Sequence, residues 1–298
     1  MQKTGTAQRL YAGCKANLYL KVLGIRQDGY HEIESIFYPL QNPYDVLTIS
    51  DSYPGKGFQL SCSNKDIEGT NNILWHTYTV FGQETGFWPD IQVELEKNIP
   101  SGSGLGGGSS NAAVFLRYLW DCFQEQISGP QDPGAILLWS MAQRIGSDVP
   151  FFIENKPAWV TGAGERIQTL SFQVGDLSVM VICPDLPIST SSAYKLWDQC
   201  LRQTEHRKTL ENTLTINKEI GYSNLSLTTA LLTNNFEKVL FPWYPQLREI
   251  KRKILTCGAA SCVMSGSGSS FIALVRTHEV VQGISRWLDK SHIKFFLN

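Results

Sequence analysis

Pro100, Ser101, Gly102, Ser103, Gly104, Leu105, Gly106, Gly107, Gly108, Ser109 and Ser110 put five glycines into eleven consecutive positions. Without a Cβ, successive backbone N–H groups can converge on one anion, and a helix opening directly after the turn adds partial positive charge. The stretch therefore predicts a phosphate cradle. Gly102, Gly104 and Gly107 also fit the GxGxxG spacing of dinucleotide folds. That reading fails, because the residues before the loop pattern as an antiparallel sheet, and about twenty residues beyond it there is a turn instead of a strand ending in an acid. A Walker loop requires Lys after its last glycine, and here Ser109 follows Gly108. The chain also lacks the His-Arg-Asp and Asp-Phe-Gly triplets of protein kinases. A flexible surface loop is the plain alternative, and the strand before and helix after weigh against it.

The elements that must hold this loop follow from periodicity. Ile91–Leu95 alternates as a strand, and after the loop Ala112, Leu116, Leu119, Trp120 and Phe123 form one apolar helical stripe. Upstream, strands are expected over 17–23, 34–38 and 45–49, with a turn at Asp28-Gly29. A helix is expected over 72–81, behind an Asn pair able to cap it, and another over 135–145, stopped by Gly146. The second half predicts a strand at 177–183, helices near 191–201, 227–240, 246–255 and 280–288, and a hairpin over 261–275 around a second Gly/Ser turn.

Length and charge bound the rest. A chain of 298 residues with 26 Lys+Arg, 27 Asp+Glu and net charge −1 is expected to form two domains and carries no basic field for nucleic acid or anionic lipid. Seven cysteines, scattered without a CxxC pair, fit reduced thiols better than a disulfide framework or zinc site, and no apolar run is long enough to span a bilayer. A cytoplasmic protein with a small-molecule ligand is expected, with no nucleic-acid or membrane partner, acting as a monomer or weak homodimer.

Pro100–Ala113 resembles the phosphate-binding signature of the GHMP kinases, small-molecule kinases that use this loop in place of a Walker motif. Three further segments agree in the same order: Lys15-Ala16-Asn17-Leu18, Arg26-Gln27-Asp28-Gly29-Tyr30-His31-Glu32, and Gly146-Ser147-Asp148-Val149-Pro150-Phe151-Phe152. With the turn at Ser265-Gly266-Ser267-Gly268, the resemblance runs from about residue 10 to 275. It implies an α+β fold of two domains: an N-terminal nucleotide-binding domain over 1–160 and a C-terminal, ferredoxin-like α+β domain over 161–298, with the active site between them. ATP would be the phosphoryl donor, Mg²⁺ its counter-ion, and an alcohol carrying a cytidine diphosphate the acceptor. A homoserine- or mevalonate-type kinase, or a non-catalytic nucleotide binder of the same fold, is the rival reading.

Residue by residue, the resemblance matches Lys15 and Asp148 to the family's catalytic pair, the Asp accepting the acceptor hydroxyl's proton and the Lys orienting and polarising that hydroxyl. On their own these two residues read more readily as a snorkelling Lys and a turn-capping Asp than as a catalytic pair. Tyr30 would stack on cytosine and His31 meet its polar edge, with Asn17 beside the acceptor. Tyr194 would close the other side of the base, with Thr190 as a nearby polar contact. Asn72 matches a position near the adenine, and Lys97 precedes the loop where a cation reaches base or phosphate. Read plainly, the first is a helix cap and the second a solvated charge. Ser109 or Ser110 would touch Mg²⁺ directly or through water. Cys14, Ala16 and Ser147 depart from the family's usual residues by small changes of polarity or volume.

Overall fold

A computed structural model of the protein describes residues 7–127, 134–171, 174–202 and 232–298. They fall into two compact units. The first comprises the chain up to Cys14, Pro43–Ile99 and Gly106–Asn155; the second comprises Lys15–Asn42, Pro100–Leu105 and the chain from Lys156 onward. Both β1 (Gln8–Ile25) and β2 (His31–Asp51) run through the two units, as does the glycine loop.

In the first unit, the C-terminal part of β2 pairs antiparallel with β4 (Ile91–Glu96), from Val46 opposite Glu96 to Asp51 opposite Ile91, and β3 (Phe58–Cys62) lies parallel to β4. Along β4, Ile91, Val93 and Leu95 are buried while the residues between them are not, the period of two expected of a sheet packed on one face. The helices of this unit are α1 (Ile73–Thr85), α2 (Gly107–Ile127), α3 (Gly134–Ile145) and α4 (Val149–Glu154). Leu74, Phe81, Phe115, Leu116, Leu119 and Met141 are almost wholly buried with the sheet residues Leu47, Ile49 and Val93. Asn72 starts α1 by accepting the Leu74 N–H at 3.0 Å, and Gly86 ends it in the left-handed region at φ 71°.

The second unit holds two sheet portions. In one, β5 (Ala158–Gly162) pairs antiparallel with Ile33–Phe37 of β2 and with β6 (Arg166–Thr169), while the short β8 (Thr233–Asn234) lies parallel to Tyr19–Leu20 of β1. In the other, β7 (Ser178–Cys183), β9 (Ser261–Met264), β10 (Phe271–Val275) and β11 (Lys294–Leu297) form an antiparallel sheet in the order β11-β7-β10-β9. Among the described residues, four helices belong to this unit: α5 (Thr190–Arg202), α6 (Phe236–Leu240), α7 (Pro245–Thr256) and α8 (His278–Lys290). Its core joins Met180, Ile182, Phe271, Ala273, Trp197, Phe236, Leu247 and Ile284.

The expected α+β class holds, and several elements differ from their expected form. Residues 34–38 and 45–49 are not separate strands but parts of β2, which continues through Pro43. Between the two expected strands, the Asn298 carboxamide oxygen accepts the N–H groups of Gln41 (3.0 Å) and Asn42 (2.8 Å). Of the helix expected over 227–240, the described residues form α6, while Thr233 and Asn234 pair as β8; residues 227–231 lie outside the described residues. The apolar run Val149–Ile153 is the helix α4, begun by Pro150 in its first turn. Residue 160 lies inside β5.

Candidate active site

The glycine loop is folded by bonds to its carbonyl groups. The Ser103 carbonyl accepts the Ser270 N–H (3.2 Å), the Gly104 carbonyl accepts the Ser265 hydroxyl (3.0 Å), and the Leu105 carbonyl accepts the Lys15 N–H (2.9 Å). Across each trans peptide the next residue's N–H points opposite to the carbonyl, so the N–H groups of Gly104, Leu105 and Gly106 face away from these partners. Gly102, Gly104 and Gly106 all have positive φ, at 65°, 77° and 71°. A Cβ on Gly104 would lie 2.1 Å from the Ser265 carbonyl oxygen, so only glycine lets the loop seat against the β9–β10 turn. Helix α2 opens at Gly107, where a Cβ would press to 2.8 Å from Ile99, and Ser110, buried in its first turn, donates its N–H to Gly106 at 3.0 Å. Backbone N–H groups not turned to these partners, ahead of a 21-residue helix, are donors of the kind a polyphosphate takes.

Within the second unit, the motif around Lys15 meets the same turn. Lys15 is 4% exposed; its ammonium donates to the Asn17 side-chain oxygen and lies 4.6 Å from the centre of the Phe37 ring. Asn17 is tied down in turn, its amide nitrogen donating to the Ser35 hydroxyl (2.9 Å) and its backbone N–H to the Ser265 hydroxyl (3.1 Å). Thr190, at the head of α5, shares a 3.1 Å hydroxyl–hydroxyl bond with Ser267 of the same turn. Asn17, Gly104 and Thr190 thus bond the β9–β10 turn, and Lys15 is tied to Asn17 and Leu105 beside them. A buried ammonium held by an amide oxygen is a fixed cation, the kind of group that orients an alcohol or a phosphate oxygen.

Tyr30 and His31 follow a tight turn in which the Asp28 carboxylate accepts the Tyr30 N–H at 3.1 Å and Gly29 has φ 85°. The Tyr30 ring is 67% exposed, whereas His31 is packed: its imidazole stacks on Tyr194 with centroids 4.3 Å apart and planes 25° apart, and its Nε2 lies 2.7 Å from Asp198 Oδ1. That stacking leaves no room for a base between His31 and Tyr194. Tyr194 also meets Phe236 edge-on at 4.9 Å.

In the first unit, Asp148 immediately precedes α4, and its side chain makes no capping bond to that helix. Asn72 is occupied at both ends, accepting from Leu74 and donating to the Ile67 carbonyl at 2.6 Å. Lys97 is not a solvated charge: its ammonium is paired with Asp45, which is fully buried and also accepts the N–H groups of Asn98 (2.7 Å) and Ile99 (2.9 Å). Asp45 and Asp198 were not among the expected site residues. Asp198 had one legible signal, its position four residues after Tyr194 on the same helix face; Asp45 had none, being paired across half a hundred residues.

Comparison with known proteins bears on these features together. The family model described as "GHMP kinases N terminal domain" matches residues 72–156, and "GHMP kinases C terminal" matches 211–292. A protein of Lawsonia intracellularis named 4-diphosphocytidyl-2-C-methyl-D-erythritol kinase is 39% identical over 98% of this chain and 96% of its own length. A Nitratidesulfovibrio vulgaris protein of the same name is 38% identical over 97% and 98%. Among solved structures, a 4-(cytidine 5'-diphospho)-2C-methyl-D-erythritol kinase superposes with a TM-score of 0.72 at 25% identity, covering 97% of this chain and 98% of that one. A Cytophaga hutchinsonii homoserine kinase, at 17% identity and a TM-score of 0.68, shares the fold over 100% of this chain and 95% of its own. With both domain signatures and an end-to-end match at more than a third identity, the chain belongs to the 4-diphosphocytidyl-2-C-methyl-D-erythritol kinase family of the GHMP kinases.

Proposed function

We propose that the chain transfers the γ-phosphoryl group of ATP to the 2-hydroxyl of 4-diphosphocytidyl-2-C-methyl-D-erythritol, releasing ADP and the 2-phosphate, in the non-mevalonate route to isoprenoid precursors. The full-length match at 39% identity to a kinase named for that acceptor carries the reading.

The loop geometry supports ATP as donor. The N–H groups of Gly104, Leu105 and Gly106 and the head of α2 would receive the phosphates, and Pro100–Ser110 would enclose them. ATP brings the transferable phosphoryl group and Mg²⁺ its charge neutralisation; the Ser109 and Ser110 hydroxyls offer the hard oxygen donors that cation takes. Asn72 and Lys97 would shape the adenine side through the segments they anchor. Asp148 would take the proton of the attacking hydroxyl, and Lys15, held by Asn17, would orient and polarise that hydroxyl. Holding both reactants in line and removing the proton as the bond forms is most of what phosphoryl transfer asks of a protein. Tyr30 would stack on the cytosine, His31 would meet its polar edge, and Thr190 and Tyr194 would build the floor beneath. We place the enzyme in the cytoplasm: Cys62, Cys183 and Cys262 are buried, and no disulfide is formed among the described residues.

An ADP-release assay with the cytidine diphosphate acceptor, homoserine and mevalonate side by side tests the assignment. Turnover with the first alone is expected. Turnover with homoserine or mevalonate and none with the first would replace it, and no ADP release with any acceptor would leave a nucleotide binder.

A further inference from the structure

Helix α5 presents Thr190, Tyr194 and Asp198 at intervals of four, so all three lie along one face. Tyr194 and Asp198 meet the same residue, His31, and divide its ring between them. Tyr194 covers one face at 4.3 Å, and Asp198 Oδ1 takes Nε2 at 2.7 Å. The His31 side chain keeps 11% of its exposure and Asp198 25%. The imidazole has one heteroatom left, Nδ1. An ionised carboxylate only accepts hydrogen bonds, so the proton of a neutral His31 sits on Nε2 and Nδ1 carries the lone pair.

We propose that Asp198 is a positioning residue for acceptor specificity, fixing the His31 tautomer so that Nδ1 accepts a hydrogen bond from the exocyclic amino group of the acceptor's cytosine. The inference rests on the reading of the acceptor given above. Cytosine carries a donor at C4, whereas uracil carries a carbonyl oxygen there. A lone pair at Nδ1 attracts the first and repels the second, so recognition and rejection come from one atom. Tyr194 contributes stiffness: with its ring stacked on His31, the imidazole cannot swing to offer Nε2 instead.

The test combines spectroscopy with kinetics. Imidazole ¹⁵N shifts of His31, assigned by loss of the signal in His31→Gln, are expected to show the Nε2–H tautomer in the wild type and a mixture in Asp198→Asn, whose amide can donate as well as accept. The same variant is expected to raise KM for the cytidine acceptor about tenfold, the loss of one well-placed hydrogen bond, and to narrow the preference for cytidine over uridine acceptor. Its kcat and its KM for ATP should stay within about twofold, which also shows that the variant folds. Asp198→Glu, which restores a carboxylate, should recover the tautomer and part of the KM. Unchanged imidazole shifts in Asp198→Asn, or equal losses in KM for ATP and acceptor, would overturn the proposal and leave Asp198 a packing residue. Should the wild type fail to phosphorylate the cytidine acceptor at all, the functional reading falls, while the tautomer measurement still reports on Asp198.

Discussion

Asp148 and Lys15, the proposed catalytic pair, stand in settings unlike the ordinary ones for their residue types. Asp148 stands at the start of α4 without capping it, and Lys15 is buried with its ammonium on Asn17. Neither arrangement is the one that makes Asp or Lys merely structural, a carboxylate on a helix N–H or an ammonium in solvent. Asp148→Asn keeps the shape and removes the proton acceptor. We expect kcat to fall about 10²- to 10⁴-fold with both KM values nearly unchanged, the range for loss of a general base. Steady-state ADP release measures it, and near-normal turnover would remove Asp148 as base. The candidate site was legible in the sequence where its residues stand side by side, as in Gly102–Gly108 and Tyr30-His31. It was not legible where a partner comes from far along the chain. Asp198 meets His31 across 167 positions, and Ser265 bonds Asn17 across 248. No spacing rule spans such separations, because they are created by tertiary packing.

At the scale of elements, the glycine loop separates a glycine the backbone and its surroundings both require from one that neither requires. Gly104 has φ 77° and a backbone oxygen 2.1 Å from where its Cβ would stand; Gly108 has neither constraint, its nearest neighbour lying at 4.0 Å. Gly104→Ala should lower stability by about 2 kcal/mol or more from the left-handed conformation and the clash, and should raise KM for ATP. Gly108→Ala, inside the first turn of α2, should leave the melting temperature unchanged or slightly raised through helix propensity. Thermal melts of the pair decide it, and equal behaviour of the two would contradict the seating of the loop against Ser265. A second element, the turn over 53–57, is fastened by Asp90, whose carboxylate accepts the N–H groups of Gly55 (2.9 Å) and Gly57 (2.5 Å). Those bonds, Gly55's foremost, hold its pKa below the ordinary carboxylate value. The unfolded chain therefore binds the proton more readily than the folded one. The contribution is complete above the unfolded pKa and lost as pH falls through the folded one. Asp90→Asn should flatten the acid limb of stability against pH, measured by denaturant melts between about pH 3 and 7; an unchanged limb would assign the acid sensitivity to other carboxylates. Strands and helices with clean periods, such as β4 and α2, were readable from pattern alone. Helix α4 was not, since a run of five apolar residues fits strand and helix alike, and β5 gains its identity only by pairing with β2, β6 only by pairing with β5.

For the whole molecule, the order of the chain and the order of packing differ. Strands β1 and β2 begin and end in different units, and the glycine loop changes unit at Gly106. Leu20, Val22 and Ile33, all in the first tenth or so of the chain, are buried in the cluster that contains Met180, Ile182 and Phe271. Burying an aliphatic side chain is worth about 1.5–3 kcal/mol. Three of them together rival the roughly 5–15 kcal/mol net stability of a domain. A fragment of residues 1–160 would keep these three side chains, lose the cluster that covers them, and end in the middle of β5. It is expected to lack a cooperative thermal transition and to bind an apolar dye. A fragment of residues 161–298, deprived of the β1 and β2 segments that pair with β8 and β5, should fare no better. Co-expression of the two should restore a folded complex, since every pairing partner is then present. The measurement is a calorimetric scan of each piece and of the mixture. A sharp transition in the isolated 1–160 piece would show that the burial of Leu20, Val22 and Ile33 against the distant cluster is dispensable, and with it the interleaving of chain and units described above.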